Sequence, residues 1–264
     1  VFSLSLWLKG LAAIAPLMGL AWLVSLKLRN VSIVDALWSV MFVLAGGSYA
    51  YFGGVLAARS VLILALVVLW AARLSIYIAW RNHGHGEDRR YQQIRARNNP
   101  GFAWKSLYLV FALQGVLAWV ISLPLLAAVH SDAPLKTLDG VGAILALLGL
   151  LFEAVGDTQL ARFKADPAHR GQVMDQGLWR YTRHPNYFGE FCLWWGFYLI
   201  ATAAGGWWSL PAPLLMSLLL LKVSGVSLLE QDIAERRPGY REYTARTSAF
   251  LPRPPRALSG SARS

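Results

Sequence analysis

Long apolar stretches alternate with short, strongly polar ones along this chain. A run of about 20 apolar residues is long enough to cross the hydrocarbon core of a bilayer as a helix. The pattern predicts seven such spans: roughly Leu4–Leu26, Ile33–Phe52, Ser60–Trp80, Ser106–His130, Leu138–Leu160, Tyr187–Ala204 and Leu210–Leu229. Only Gly205-Gly206-Trp207-Trp208-Ser209 separates the last two, a tight turn with an interfacial Trp pair. The first stretch is too long for a signal-peptide core and lacks a cleavage-like site, so it is expected to be a retained span. The expected fold is an all-α integral membrane protein. Residues 1–264 form one transmembrane domain, with a polar tail over 231–264 that is Pro-rich after Phe250.

Charge adds an orientation. Six Lys or Arg fall between Arg81 and Lys105, five between Arg162 and Asn186, and seven after Leu229, and the Lys27–Asn30 turn is also basic. The alternate loops hold Arg59, Lys136 and no other Lys or Arg. With seven spans, all four basic segments lie on one face, which predicts an outside N-terminus and a cytoplasmic C-terminus. The net charge of +11 is therefore read as positive-inside bias, not as a nucleic-acid footprint. Composition agrees: 56% of residues are hydrophobic and 15% charged, with a mean hydropathy of +0.44. Cys192 is the one cysteine, so no intrachain disulfide is expected.

Ionisable residues inside apolar spans are costly and point to function. Asp35 lies near the start of the second span, as a buried acid or an interfacial cap. Arg73, Tyr77 and Arg81 recur at i, i+4 and i+8 on one stripe of the third, and Glu153 and Asp157 are an i, i+4 pair on the fifth. Asp157 serves either a ligand or an ion pair with Arg73. The densest cluster is Arg180-Tyr181-Thr182-Arg183-His184-Pro185-Asn186-Tyr187-Phe188-Gly189-Glu190, directly before a Trp-rich segment. Arginines, amides, acids and aromatics at a membrane boundary suit a nucleotide: Arg for phosphates, Asn and Glu for polar edges, rings for stacking. The apolar remainder suits a lipophilic second substrate. No soluble-type phosphate loop and no CxxC is present, and His83 and His85 form only a weak metal signal in a Gly-spaced loop. No metal is expected.

These residues resemble the membrane-bound steroid 5α-reductase superfamily, especially its bacterial branch. The resemblance covers most of the chain. It rests on Val31–Trp38, Arg73–Arg81, Gly86–Tyr91, Gly156–Leu160, Gly177–Glu190 and Tyr243–Pro252, and Gly177–Glu190 is the most specific block. The resemblance implies an NADPH-dependent oxidoreductase of the CH–CH group in a bacterial inner membrane. The expected acceptor is a 3-oxo-Δ4 steroid or similar enone arriving from the bilayer. Asn186 and Glu190 match the Asn-x-x-Gly-Glu motif on the nicotinamide side, with Tyr187 at an aromatic position and Trp194 one turn further on. Tyr181 and His184 belong to the same block and are cofactor-side candidates. Asp157 and Lys164 match an acid and a basic residue expected near the adenine and its ribose phosphate. Arg73, Tyr77 and Arg81 match an Arg, Tyr, Asn series, so Arg81 stands where an Asn is expected. Arg73, Lys164 and Arg183 are the expected phosphate neutralisers.

Hydride delivered to the β-carbon of an enone leaves negative charge on the carbonyl oxygen, which a neutral acid stabilises. By the resemblance, Asp35 is the shorter counterpart of a Glu that polarises the ketone. Trp70 fills the position of its Tyr partner, which leaves Tyr77 as the donor. Asp35, protonated or shared with Tyr77, is thus the expected catalytic pair.

The segment Arg183–Glu190 also resembles the R-H-P-x-Y-x-G…E pattern of isoprenylcysteine carboxyl methyltransferases and phospholipid methyltransferases, which use S-adenosylmethionine. That ligand carries a sulfonium and no phosphate, so it does not call for Arg73, Arg81, Lys164 and Arg183 together. The basic surplus and the seven-span layout favour the reductase. A transporter would need charges near the midplane, whereas these crowd one face.

Overall fold

The computed structural model describes residues 2–54, 56–223 and 239–256, and among them every regular element is a helix. The long helices are α1 (Leu4–Leu28), α2 (Ile33–Gly53), α3 (Ala58–Asn82), α5 (Phe102–Ile121), α7 (Thr137–Ala165) and α8 (Pro185–Ala203). Shorter ones are α4 (Arg89–Asn98), α6 (Leu123–Val129), α9 (Pro211–Leu218) and α10 (Tyr240–Arg246). Five helices, α1, α2, α3, α5 and α7, are long and apolar enough to cross a membrane. The predicted stretch Leu210–Leu229 is helical from Pro211, and its part beyond Val223 lies outside the described residues, as do 231–238 and 257–264 of the tail.

The predicted stretch Ser106–His130 is not one regular helix. It begins earlier, at Phe102, contains a π-helical turn over Leu107–Ala112, and breaks at Ser122 before Pro124 opens α6. Proline lacks the amide hydrogen that a continuing helix needs, so it sits in a first turn. The Ser122 hydroxyl bridges the break, 2.7 Å from both the Trp119 carbonyl and the buried Tyr49 hydroxyl.

The chain divides into two compact units. The first comprises Val1–Ala143 and Phe197–Ala212. Here α2 packs against α1 and α3. Serines tie α2 to α3: the Ser39 hydroxyl reaches the Ala71 carbonyl at 3.1 Å, and Ser75 donates to the Ala36 carbonyl at 2.7 Å. Hydroxyl bonds between helices are one of the few attractive forces left in lipid, where apolar contact alone does not drive association. Trp7 and Trp119 stack at 3.8 Å, and each indole donates to the other's backbone carbonyl.

Arg59, which the charge pattern places among ordinary loop cations, is fully buried. Its guanidinium pairs with both oxygens of Asp139 at 2.7 and 2.9 Å and also donates to Ser131, the Ala133 carbonyl and the Pro134 carbonyl. An arginine's five donors in a fixed fork suit this use. The residue staples the start of α3 to the 131–139 segment.

The second unit comprises Ile144–Gly196 and Pro213–Ser264. Its main feature is the crossing of α7 and α8 at Gly149 and Gly189. A Cβ on Gly149 would lie 2.5 Å from the Gly189 carbonyl oxygen, and one on Gly189 would lie 2.5 Å from the Gly149 oxygen. Only glycine at both positions lets the backbones approach so closely. Two turns along α7, a Cβ on Gly156 would lie 3.0 Å from the Pro185 ring, a tight but looser contact. Between the two helices a small cluster of Phe163, Met174 and Trp179 packs with Leu160, and the Trp179 indole donates to the Gly156 carbonyl at 3.0 Å.

Candidate functional site

The crossing of α7 and α8 sets polar side chains into the second unit. Glu153 and Asp157 share one face of α7, and Asn186 and Glu190 share one face of α8, each pair four residues apart. Glu153, Asp157 and Glu190 are 2%, 4% and 9% exposed. Buried acids are tolerated only with partners. One such contact runs from the Asn186 amide nitrogen to Asp157 Oδ1 at 3.2 Å, while Asn186 Oδ1 accepts from the Tyr187 amide at 3.1 Å. The buried His184 ring stacks parallel to Tyr187 with centroids 5.6 Å apart. Trp194 is fully buried one turn beyond Glu190. This set offers acceptors for hydroxyl or amide donors, an amide that both gives and takes, and aromatic faces.

A second layer holds the segment before α8. Residues 247–253 lie along 180–184 and bond to it repeatedly. The Arg183 amide donates to the Ser248 carbonyl at 2.9 Å, the Thr182 hydroxyl to the Phe250 carbonyl at 2.8 Å, and the Arg253 amide to the Tyr181 carbonyl at 3.0 Å. Phe250 meets Phe188 and Phe191 of α8 edge-on at 5.8 and 5.4 Å. Tyr243 donates to the Trp179 carbonyl at 2.5 Å, and Arg246 pairs with Asp175. The Arg183 side chain joins this strap: its Nη1 reaches the Thr244 and Thr247 carbonyls at 3.2 and 2.9 Å, around the C-terminal end of α10. That is favourable ground for a cation, because the last carbonyls of a helix carry partial negative charge. Arg183, expected among the phosphate neutralisers, thus has a tail-binding task in this structure. Lys164, in the last turn of α7, is exposed, as are Arg170, Arg180 and Tyr181.

The first unit carries a separate polar set at the start of α2. Asp35 Oδ2 accepts from Arg90 at 2.8 Å, and Asp35 Oδ1 accepts from the Tyr91 hydroxyl at 2.6 Å. Gln114 of α5 donates to the same hydroxyl at 2.9 Å. The expectation that Asp35 works with Tyr77 is therefore joined by an observed pairing with Arg90 and Tyr91. These two were visible only as part of the Gly86–Tyr91 loop. A polar loop reads as solvated, and no spacing rule brings it back onto α2. Burial and the Asp35 carboxylate both push the Tyr91 phenol up, so it stays neutral. Burial works against charge on Arg90, but Asp35 and Asp88 outweigh it and hold the guanidinium above its usual range. On α3, Arg73 and Arg81 lie over the Tyr77 ring at 5.3 and 5.8 Å, within cation–π range. Trp70 is fully buried against Phe42.

The α3–α4 loop is anchored through Glu87, whose carboxylate accepts from Arg95 Nε and Nη2, each at 2.8 Å, and from the Val31 amide at 2.9 Å. Burial raises its proton affinity, but these bonds prevail and hold the carboxyl below its usual range. His83 and His85 are exposed on this loop, and among the described residues no group of three His, Cys, Asp or Glu is placed to hold a metal ion.

Five helices fit to cross a membrane, with every regular element among the described residues helical and buried acids within α7 and α8, are those of a membrane protein that carries polar groups inside its helices. More narrowly, the chain belongs to the family described as "Protein of unknown function (DUF1295)", whose model matches residues 21–247. That range takes in both polar sets and α10. The chain is also 26% identical over 263 residues to uncharacterized protein C594.04c of Schizosaccharomyces pombe, covering 88% of this chain and 75% of that protein. No solved structure matches it.

Proposed function

We propose that this protein is an NADPH-dependent reductase that saturates the enone of a 3-oxo-Δ4 steroid or a similar lipophilic compound. The observation that carries the reading is the polar set on α7 and α8: Asp157, Asn186, Tyr187 and Glu190, with an exposed basic rim at Lys164, Arg170 and Arg180. Its family, which includes steroid 5α-reductase-like proteins, lends support. In this reading Asn186 and Glu190 hold the nicotinamide amide, Asp157 a ribose or adenine donor, and Tyr187, His184 and Trp194 line the ring. Lys164 binds phosphate, and the resemblance assigns Arg73 and Arg81 the same task. Asp35, Tyr77 and the neutral Tyr91 are the candidates for polarising the substrate carbonyl; a neutral donor aimed at the developing enolate lowers its energy. The chain then crosses a bacterial inner membrane seven times, with the N-terminus outside and the C-terminus cytoplasmic.

One observation favours a second reading. Arg183 is occupied by main-chain carbonyls, which thins the phosphate-binding surplus, and three buried acids would suit the sulfonium and ammonium of S-adenosylmethionine. The protein would then be a membrane methyltransferase.

The test is direct. Protein purified in detergent is titrated with NADPH and with S-adenosylmethionine, following tryptophan fluorescence, and NADPH oxidation is then assayed with progesterone or testosterone. Quenching by NADPH and not by S-adenosylmethionine is expected, weakened in Asn186→Ala. Uptake of S-adenosylmethionine alone refutes the reductase.

A further inference from the structure

Away from both polar sets, α1 and α2 border an open groove of about 510 Å³, within the size range of small-molecule sites. Ala12, Ala13, Leu44 and Gly47 make it largely apolar, and Lys9, Ser48 and Tyr51 are its polar members. Lys9 is five residues into α1 and Ser48 five residues before the end of α2, so each is about 7–8 Å inside its helix end. The two groups share one level, at the end opposite the basic Lys27–Asn30 turn.

Both groups ask for an acceptor. The Lys9 ammonium lies 4.4 Å from the Phe52 ring centroid, and among the described residues it pairs with no carboxylate. The Ser48 hydroxyl oxygen is buried and makes no hydrogen bond. An unmet hydroxyl away from water is unfavourable, and an ammonium is a donor with no acceptor capacity. Gly47 keeps the groove open: a Cβ there would meet nothing within 4 Å.

We propose that this groove is a binding site for an anionic phospholipid. One acyl chain lies along Ala12, Leu44 and Gly47, the phosphate accepts from Lys9, and the Ser48 hydroxyl turns out of its buried rotamer to donate to it. The bilayer supplies such a molecule at this depth, and a zwitterionic lipid would bring its own cation against Lys9. The site stands independently of the reductase reading.

Delipidated protein in detergent is titrated with phosphatidylglycerol and with phosphatidylcholine, and retained lipid is counted by native mass spectrometry. Wild type is expected to prefer phosphatidylglycerol about fivefold at one site, the scale of a single lysine near a membrane surface. Lys9→Gln abolishes that preference but still takes up phosphatidylcholine. Gly47→Leu extends into the groove from a position where a Cβ meets nothing within 4 Å, so it is expected to lose one bound lipid of either type while its lipid-free melting temperature does not fall. The proposal is overturned if wild type shows no preference, if Lys9→Gln keeps it, or if Gly47→Leu binds as much lipid as wild type.

Discussion

Replacing Gly149 by Ala tests the helix crossing that builds the polar set of the second unit. The added methyl would sit 2.5 Å from the Gly189 carbonyl oxygen, 2.6 Å from the Leu193 amide nitrogen and 3.1 Å from the Cys192 Cβ. The first two contacts are with backbone, which no rotamer change relieves, so α7 and α8 must move apart. Overpacking of this kind costs about 1–3 kcal/mol. Against it stands a helix-propensity gain of about 1 kcal/mol for Gly→Ala. Gly19, within α1, supplies the control, because a Cβ there meets nothing within 4 Å. Gly19→Ala collects the gain without the strain, so the difference between the two variants isolates the strain. For a chain of this size each kcal/mol moves the melting temperature by about 2–4 °C. Gly149→Ala should therefore melt roughly 2–12 °C below Gly19→Ala in detergent. It should also bind the ligand of the Asp157–Asn186 set more weakly, since those side chains ride on the two helices. Equal melting of the two variants would refute the close crossing.

Three further outcomes follow from contacts described above. Arg59→Ala leaves the buried Asp139 carboxylate without its guanidinium and should lower stability by about 3–5 kcal/mol, whereas Arg59→Met with Asp139→Leu should recover most of that; thermal melts of wild type and the two variants decide it. The depressed carboxyl of Glu87 contributes stability that is complete above the usual value of 4.5 and is lost as pH falls through its lowered value. The protection of the Val31 amide, with the intrinsic pH dependence of exchange divided out, should fall on acidification below that value, and Glu87→Gln should remove the acid-dependent part. Tyr91→Phe should lower the turnover of the proposed reductase by roughly 10²-fold, the lower end for a lost proton-transfer partner, with NADPH affinity unchanged. A fall in affinity with intact turnover would assign Tyr91 to binding instead.

The helical class was legible because apolar runs of bilayer length have few other uses, and α1, α2, α3 and α7 appear where the pattern puts them. The break at Ser122 was not, since Ser122 and Pro124 sit inside an otherwise continuous apolar run. The search for ionisable residues in apolar runs singled out Glu153, Asp157 and Glu190, the polar cluster added Asn186, and helical spacing put Asn186 and Glu190 on one face. Charge counting misjudged Arg59, because a lone arginine at a helix start looks the same whether it faces water or the Asp139 carboxylate eighty residues away. The same blindness to long-range pairing hid Arg90 and Tyr91 from Asp35, and the Thr244 and Thr247 carbonyls from Arg183. Periodicity reports which face a residue occupies; it does not report what arrives there from elsewhere in the chain.

The strap over 180–184 has a bearing on biogenesis. Thr182 and Arg183 wait for partners that the ribosome adds more than sixty residues later. A nascent chain halted before residue 239 would already hold α1 to α9 yet lack each of those ties. Those ties can therefore form only after residues 244–250 are made, and a product terminated before them would lack the strap over 180–184.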